Sequence, residues 1–271
     1  MALERAEQDQ GGDDEGGALR GAQTVYRAIS ILETFKADHA VLTLAEICEA
    51  VQLTPPTAHR LLRALRSHDL ISFDERARTY SLGTGVMRLA SVLLNRDDVL
   101  SIVGPRLHRL RDFTGETVGL HWRVDDHRVC LMENVSAQQI RMASGLGNAY
   151  PLVAGAAGKA ILAYLPDNDV ERAMETERRN GRTFSAAVLK TDLQEIRGRG
   201  YARSVGETVP SAAAVAAPIL NSAGRAIGSL NVTGPADRLD DALVTKTVPL
   251  LLSTAHEVME QLGYDGSALP G

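Results

Sequence analysis

Residues 43–68 hold the pattern that most narrows the folds open to this chain: two short amphipathic segments separated by Gln52-Leu53-Thr54, the second carrying arginines on its outside. Thr43 and Glu46 have the spacing of a capping box, and Leu44, Ile47, Cys48 and Val51 make the buried stripe of a short helix. Thr54 is placed to cap a following helix, with Pro55 at its first position, where a missing amide hydrogen costs nothing. The inner face of that helix is Ala58, Leu61, Leu62 and Leu65. Pro56, Thr57, His59, Arg60, Arg63 and Arg66 share the outer face and its flanks. Upstream, Val25, Ala28, Ile29 and Leu32 predict a helix over residues 24–35, followed by a turn at 37–40. Downstream, Leu70-Ile71 and Thr79-Tyr80-Ser81-Leu82 flank a charged loop and read as a two-stranded wing. Residues 21–83 are therefore expected to form a winged helix-turn-helix domain.

Such a helix presents its first turn to base edges while longer side chains reach phosphates. Thr57, His59 and Arg60 are the expected base or phosphate contacts, with Thr54 or Pro56 grazing the groove floor and Arg63 on phosphate. Arg76 and Arg78 in the wing fit a neighbouring minor groove or the backbone, although Asp74 and Glu75 beside them also suit a plain surface loop. The whole-chain charge of −5 argues against a nucleic-acid partner. Its distribution reverses that: residues 1–20 carry 6 acids and 2 bases, residues 21–83 carry 7 of each, and residues 54–68 hold three arginines and no acid. A local basic face is what phosphate contact requires. The bland alternative is a small helical bundle with solvated arginines.

At 271 residues, two cores are expected. No stretch approaches the roughly 18 uninterrupted apolar residues of a bilayer crossing, so no membrane partner is expected. Residues 1–20 lack the apolar region of a secretory signal and read as a disordered acidic tail on a cytoplasmic protein. Cys48 and Cys130 are too few for a disulfide framework and suit a reducing compartment. Residues 84–97, with Val86, Leu89, Ala90 and Leu93 at helical spacing, predict a linker helix. Residues 98–263 then mix a helix at 99–113, an alternating and hence half-buried strand at 117–124, and strands near 127–135, 138–143, 213–219 and 225–233. Helices are expected near 158–165, 169–179, 192–199 and 240–262, the last kinked or divided at Pro249. Without regular βαβ alternation the class is α+β, and residues 264–271 are a C-terminal tail.

Catalytic signatures are missing. There is no G-x-S-x-G elbow and no H-E-x-x-H, and the seven histidines lack ligand spacing, so neither metal nor cofactor is expected. Glu207 has no paired carboxylate or nucleophile beside it and suits a turn, accepting backbone hydrogen bonds. Gly155-Ala156-Ala157-Gly158-Lys159-Ala160 is too short between its glycines for a phosphate loop and lacks the Ser or Thr after lysine. What remains is a small-residue turn entering a helix, read equally as tight packing or as free amides that accept an anionic or carbonyl oxygen. Ser229, Asn231 and Thr233 share one strand face, which either lines a pocket or meets water, and residues 212–217 leave little side-chain bulk near it.

In order and spacing, these residues resemble the IclR family of bacterial transcription regulators over residues 23–263. The resemblance rests on Val25-Tyr26-Arg27-Ala28-Ile29-Ser30-Ile31-Leu32, Leu44-Ala45-Glu46-Ile47, Thr57-Ala58-His59-Arg60-Leu61-Leu62 and Tyr80-Ser81-Leu82-Gly83. In the second part it rests on Gly158-Lys159-Ala160, Gly200-Tyr201, Glu207, Ala216-Ala217-Pro218-Ile219 and Thr233-Gly234-Pro235 ahead of Arg238-Leu239. It implies a winged helix-turn-helix, a linker helix and a GAF-like effector domain with an antiparallel sheet. It also implies a homodimer or dimer of dimers on palindromic double-stranded operator DNA, controlling adjacent catabolic genes through organic or aromatic acids. By position, the effector pocket maps to Leu146, Gly155, Ala156, Ala157, Ser204, Ala212, Ala214, Asn231 and Thr233. A carboxylate position near Ser204 and a thiol position near Ala214 are replaced, which implies a less charged, roomier pocket for an effector larger or more apolar than a two- or three-carbon acid. Ser211 stands where a glycine is common. The expected function is an effector-controlled repressor without catalytic activity. The competing reading is an enzyme acting on a small ligand, its N-terminal unit serving dimerisation.

Overall fold

The computed structural model describes residues 12–36, 39–94 and 99–264, and the chain divides into two compact units between residues 96 and 97. In the first unit α1 spans Gly12–Glu33, so it begins inside the segment read as an acidic tail; residues 1–11 lie outside the described residues. Helix α2, Leu44–Val51, opens on the capping box: Thr43 Oγ1 accepts the Glu46 N–H at 3.3 Å and Glu46 Oε2 accepts the Thr43 N–H at 2.7 Å. Gln52, at φ 53°, closes it in the left-handed region. Helix α3, Pro55–Ser67, follows and buries Ala58, Leu61, Leu62 and Leu65. The three leucines pack with Ile31, Ile47, Ile71 and Tyr80 into one core, each large apolar side chain contributing on the order of 2 kcal/mol.

Strands β2, Ile71–Asp74, and β3, Thr79–Leu82, form the wing, and β1, Val41–Thr43, extends it to an antiparallel sheet in the order β1-β3-β2. The turn expected before α2 thus runs into a strand, paired Leu42 to Tyr80. Helix α4, Thr84–Leu94, covers most of the expected linker; residues 95–98 lie outside the described residues. Gly83 lets the chain enter α4 close to the end of α3, because a Cβ there would lie 2.0 Å from the Asp69 carbonyl oxygen.

The second unit is built on a six-stranded antiparallel sheet in the order β6-β5-β4-β9-β8-β7. Its strands are β4 (Thr117–Val124), β5 (His127–Asn134), β6 (Ala149–Pro151), β7 (Ala202–Val205), β8 (Ala212–Leu220) and β9 (Ala226–Pro235). Helix α6, Ala156–Leu162, lies on the face carrying Ser229, whose hydroxyl donates to the Ala157 carbonyl at 3.0 Å. Helices α5, Val99–Thr114, and α9, Asp241–Gln261, pack on each other and on the sheet, where they cover Leu230 and Val232. Helices α7, Asp167–Arg179, and α8, Ala186–Arg199, complete the unit.

Several expectations change here. The alternation in β4 predicts one solvated face, yet Thr117, Leu120 and His121 are all fully buried, because helices close over both faces of a central strand. Residues 138–143 form no strand: Ile140 is 71% exposed, and the Glu133 carboxylate ties the following chain down by accepting the N–H groups of Ser144 and Gly145. Helix α8 starts six residues before the expected helix at 192, and α9 passes undivided through Pro249. The unexpected edge strands β6 and β7 are too short for periodicity to reveal. Ser211 lies outside the positive-φ region, so its turn does not need a glycine.

Candidate DNA-contacting face and ligand cavity

On α3 the residues singled out for DNA contact share one side. Thr54, Pro56, His59, Arg60 and Arg63 are exposed and Thr57 is half-buried, while the opposite side of the helix fills the core. Thr54 makes no capping hydrogen bond to the backbone; its hydroxyl meets that of Thr57 at 3.0 Å. The first turn of α3 carries no acid. Arg66 is not available in the same way, since its guanidinium sits 5.1 Å over the Phe73 ring. Arg76 and Arg78 are exposed at the wing tip. Asp74 accepts the Arg76 and Ala77 N–H groups at 2.8 and 3.0 Å and shapes that turn, and these backbone bonds, Ala77 first, hold its carboxyl below the usual range.

In the second unit a cavity of about 320 Å³ opens beside the start of α6. It brings together Gly155, Ala156, Ala157, Ser204, Ala212, Ala214, Asn231 and Thr233 from four separate stretches of chain. Leu146 is not in its wall: Gly145 and Gly147, both at positive φ, turn the chain so that Leu146 is 65% exposed while Met142, Ala143 and Ser144 line the cavity. Asn231 is buried, and Thr233 donates to the Ala213 carbonyl at 3.2 Å, so the small polar face of β9 does not meet water.

The entry to α6 is already occupied. Gly155, at φ 75°, donates its N–H to Glu207 Oε2, and Ala156 donates its N–H to Ser204 Oγ, both at 2.9 Å. Lys159 Nζ, buried, reaches Asp192 and Glu207, each at 2.6 Å. Glu207 therefore accepts a backbone hydrogen bond, as expected of it, from a glycine far away in sequence. Two of the amides read as free for an anion, those of Gly155 and Ala156, are bonded to this chain's own side chains.

The cavity wall also holds residues that motif reading passes over, chief among them Arg128 and Tyr150. Arg128 is 6% exposed; its Nη1 donates to His121 Nδ1 at 2.9 Å, and its guanidinium lies 4.7 Å over the Tyr150 ring. Its Nε has no hydrogen-bond partner among the described residues. Burial brings the Arg128 guanidinium down to about 10. Burial first, and the Arg128 charge second, hold His121 well below its usual value of 6.5, with Asn231 pulling the other way. A buried cation thus faces the cavity, which the replaced carboxylate and thiol positions gave no reason to expect. One signal was present in the sequence, since period two along β5 puts Arg128 on the same inward face as Cys130. Burial pushes the Cys130 thiol up to about 12, which leaves it protonated and unreactive. Among the described residues no group of three or more His, Cys, Asp or Glu is placed to hold a metal ion, and no helix is long and apolar enough to cross a membrane.

Two family profiles match this chain: residues 24–75 fit the "IclR helix-turn-helix domain" and residues 91–260 fit "Bacterial transcriptional regulator IclR C-terminal". The chain belongs to the IclR family. It is a helix-turn-helix transcriptional regulator of α+β architecture. Among its relatives, the HTH-type transcriptional regulator BhcR of Paracoccus denitrificans is 31% identical over 252 residues, covering 92% of this chain and 88% of that one. The HTH-type transcriptional repressor AllR of Salmonella paratyphi A is 29% identical over 256 residues, covering 93% and 94%. Among solved structures, an IclR regulator from Alicyclobacillus acidocaldarius superposes with a TM-score of 0.76 at 27% identity, covering 89% of this chain and 99% of that one. An IclR homologue from Microbacterium hydrocarbonoxydans, complexed with 4-hydroxybenzoate, shares the fold with a TM-score of 0.75 at 21% identity over 89% and 99%.

Proposed function

We propose that this IclR-family regulator represses genes adjacent to its own by occupying a palindromic operator, and that a small molecule in the second unit's cavity changes its operator affinity. The observation that carries this reading is the pairing, in one chain, of an exposed recognition helix with an internal cavity of ligand size. On the DNA, Thr57, His59 and Arg60 contact bases or phosphates, Thr54 and Pro56 lie against the groove floor, and Arg63 takes a phosphate. Arg76 and Arg78 grip the flanking backbone or minor groove. The ligand sits among Gly155, Ala156, Ala157, Ser204, Ala212, Ala214, Asn231 and Thr233. The protein acts in the cytoplasm and performs no catalysis of its own.

A homodimer, or a dimer of dimers, supplies two recognition helices about one helical turn of DNA apart or a multiple of it. In support, the first unit leaves Val25 and Tyr26 of α1 and Met87 and Leu89 of α4 between 60% and 74% exposed, apolar surface suited to a second copy.

The test is a labelled duplex from the upstream intergenic region, titrated at fixed salt with the full chain, alone and with saturating 4-hydroxybenzoate or a panel of aliphatic and aromatic acids. Arg60→Ala should weaken operator binding by about 1–3 kcal/mol more than binding to random DNA, and at least one compound should shift operator affinity by about 5- to 150-fold. A wild-type protein that ignores its upstream DNA at low salt, or whose affinity no compound moves, overturns the proposal.

A further inference from the structure

We propose that Arg128 selects the effector by binding a carboxylate or similarly compact anionic group of it, the ligand supplying the counter-charge that the cavity wall lacks. This inference rests on the reading of the cavity as an effector site. A guanidinium removed from water is normally paired with a carboxylate or phosphate, because an unpaired buried charge is strongly disfavoured. Arg128 has no such partner among the described residues: it bonds to a neutral imidazole, lies over the Tyr150 ring and leaves Nε unbonded.

The nearby acids are committed elsewhere. Glu207 is held by Lys159 and the Gly155 amide, and Glu133 by the amides of Ser144 and Gly145. Glu177 pairs with Arg182, the other arginine at this cavity, at 2.9 Å. At the entrance to α6 the amides of Gly155 and Ala156 are likewise taken, by Glu207 and Ser204. Arg128 is therefore the cationic group of the wall that is left without an acid. His121 and Tyr150 hold its planar fork in place, which suits two-point recognition of a carboxylate. Its Nη2 comes within 3.5 Å of the point a Cβ on Gly155 would occupy, so the guanidinium reaches the α6 entrance. The remainder of the ligand then lies toward Ala157, Ala212 and Ala214, where there is no charge to match.

The experiment compares benzoate, 4-hydroxybenzoate and hexanoate with their primary amides by calorimetry and thermal shift on the full chain. At least one acid should bind wild type ten-fold or more tighter than its amide, and in Arg128→Met the two should come within about two-fold of each other. Arg128→Lys should retain part of the preference. Ligand-free Arg128→Met should melt no lower than wild type, whereas an arginine with a purely structural role would lower the melting temperature on removal. Arg128→Gln serves in its place if the methionine variant does not fold. Amides binding as well as acids, an acid preference surviving in Arg128→Met, or no binding by any of the six compounds each overturn the assignment. The effector reading itself falls only if operator affinity also ignores every compound tested.

Discussion

Arg128 donates to Nδ1 of His121 at 2.9 Å, which makes the nearest partner of a buried cation a neutral imidazole instead of a carboxylate. The arginine cannot accept, so the acceptor role fixes His121 as the tautomer protonated on Nε2. Two side chains from neighbouring strands thus constrain each other's charge, and both consequences can be measured.

Acid should loosen the second unit through His121. Its folded-state pKa lies well below 6.5, so as pH falls through about 6.5 the unfolded chain takes up a proton that the folded chain refuses. Stability is full above pH 7 and falls toward pH 5, with a limiting slope of about 1.4 kcal/mol per pH unit from this one group. Arg128 is the charged group facing it, and the Tyr150 ring lies edge-on at 6.4 Å. His121→Asn keeps an acceptor for Arg128 and removes the proton. Urea midpoints at pH 7.5 and 5.5 should differ less for the variant than for wild type; equal differences would contradict the assignment.

Arg60 and Arg63 should separate in their salt dependence. Both are exposed and on the side of α3 away from the core, so neither alanine variant should alter the melting temperature. Loss of a phosphate contact at Arg63 should weaken binding to all duplexes alike and reduce the salt slope by about 1. Loss of Arg60 should cost about 1–3 kcal/mol more on operator than on random DNA. Titrations at three salt concentrations read both quantities.

Arg238→Ala should be among the more damaging substitutions remote from either site. Arg238 makes two hydrogen bonds to Glu116, at 2.5 and 2.9 Å, and Glu116 is nearly inaccessible, so the variant strands a buried carboxylate. A loss of about 3 kcal/mol is expected in chemical denaturation. Gly234→Ala should act through the same pair, because a Cβ there would lie 2.6 Å from Glu116 Oε2.

Filling the cavity should separate ligand response from DNA binding. Ala214→Leu adds three carbons to the wall of a 320 Å³ space. Thermal shifts with acids should vanish while operator affinity without ligand stays within about two-fold and the melting temperature holds or rises. A variant that keeps its ligand shift would place the binding site elsewhere.

The first unit was legible because its determinants are local. Thr43, Glu46, Thr54 and Pro55 mark helix boundaries over three or four residues, and the apolar spacing of Ala58, Leu61, Leu62 and Leu65 names the buried side of α3 without reference to anything distant. Strand β1 was not legible, because Leu42 is buried only by pairing with Tyr80, a partner that periodicity in three residues does not reveal. The same limit governs the second unit. The β4 and β9 alternations marked the strands, but whether Thr117, His121 and Ser229 would meet water depended on helices packed from elsewhere in the chain.

The order of residues alone thus settled the boundaries of α2 and α3, the α+β class and the small side chains around the cavity, since each follows from short-range sterics and hydrogen bonding. Only the assembled sheet decided that Glu207 and Ser204 would occupy the amides of Gly155 and Ala156, and that Arg128 would be buried beside a neutral His121 with no acid to meet it among the described residues. Charge compensation in an interior depends on which distant groups fold to within a few ångströms of one another, and that distance is a property of the packed chain.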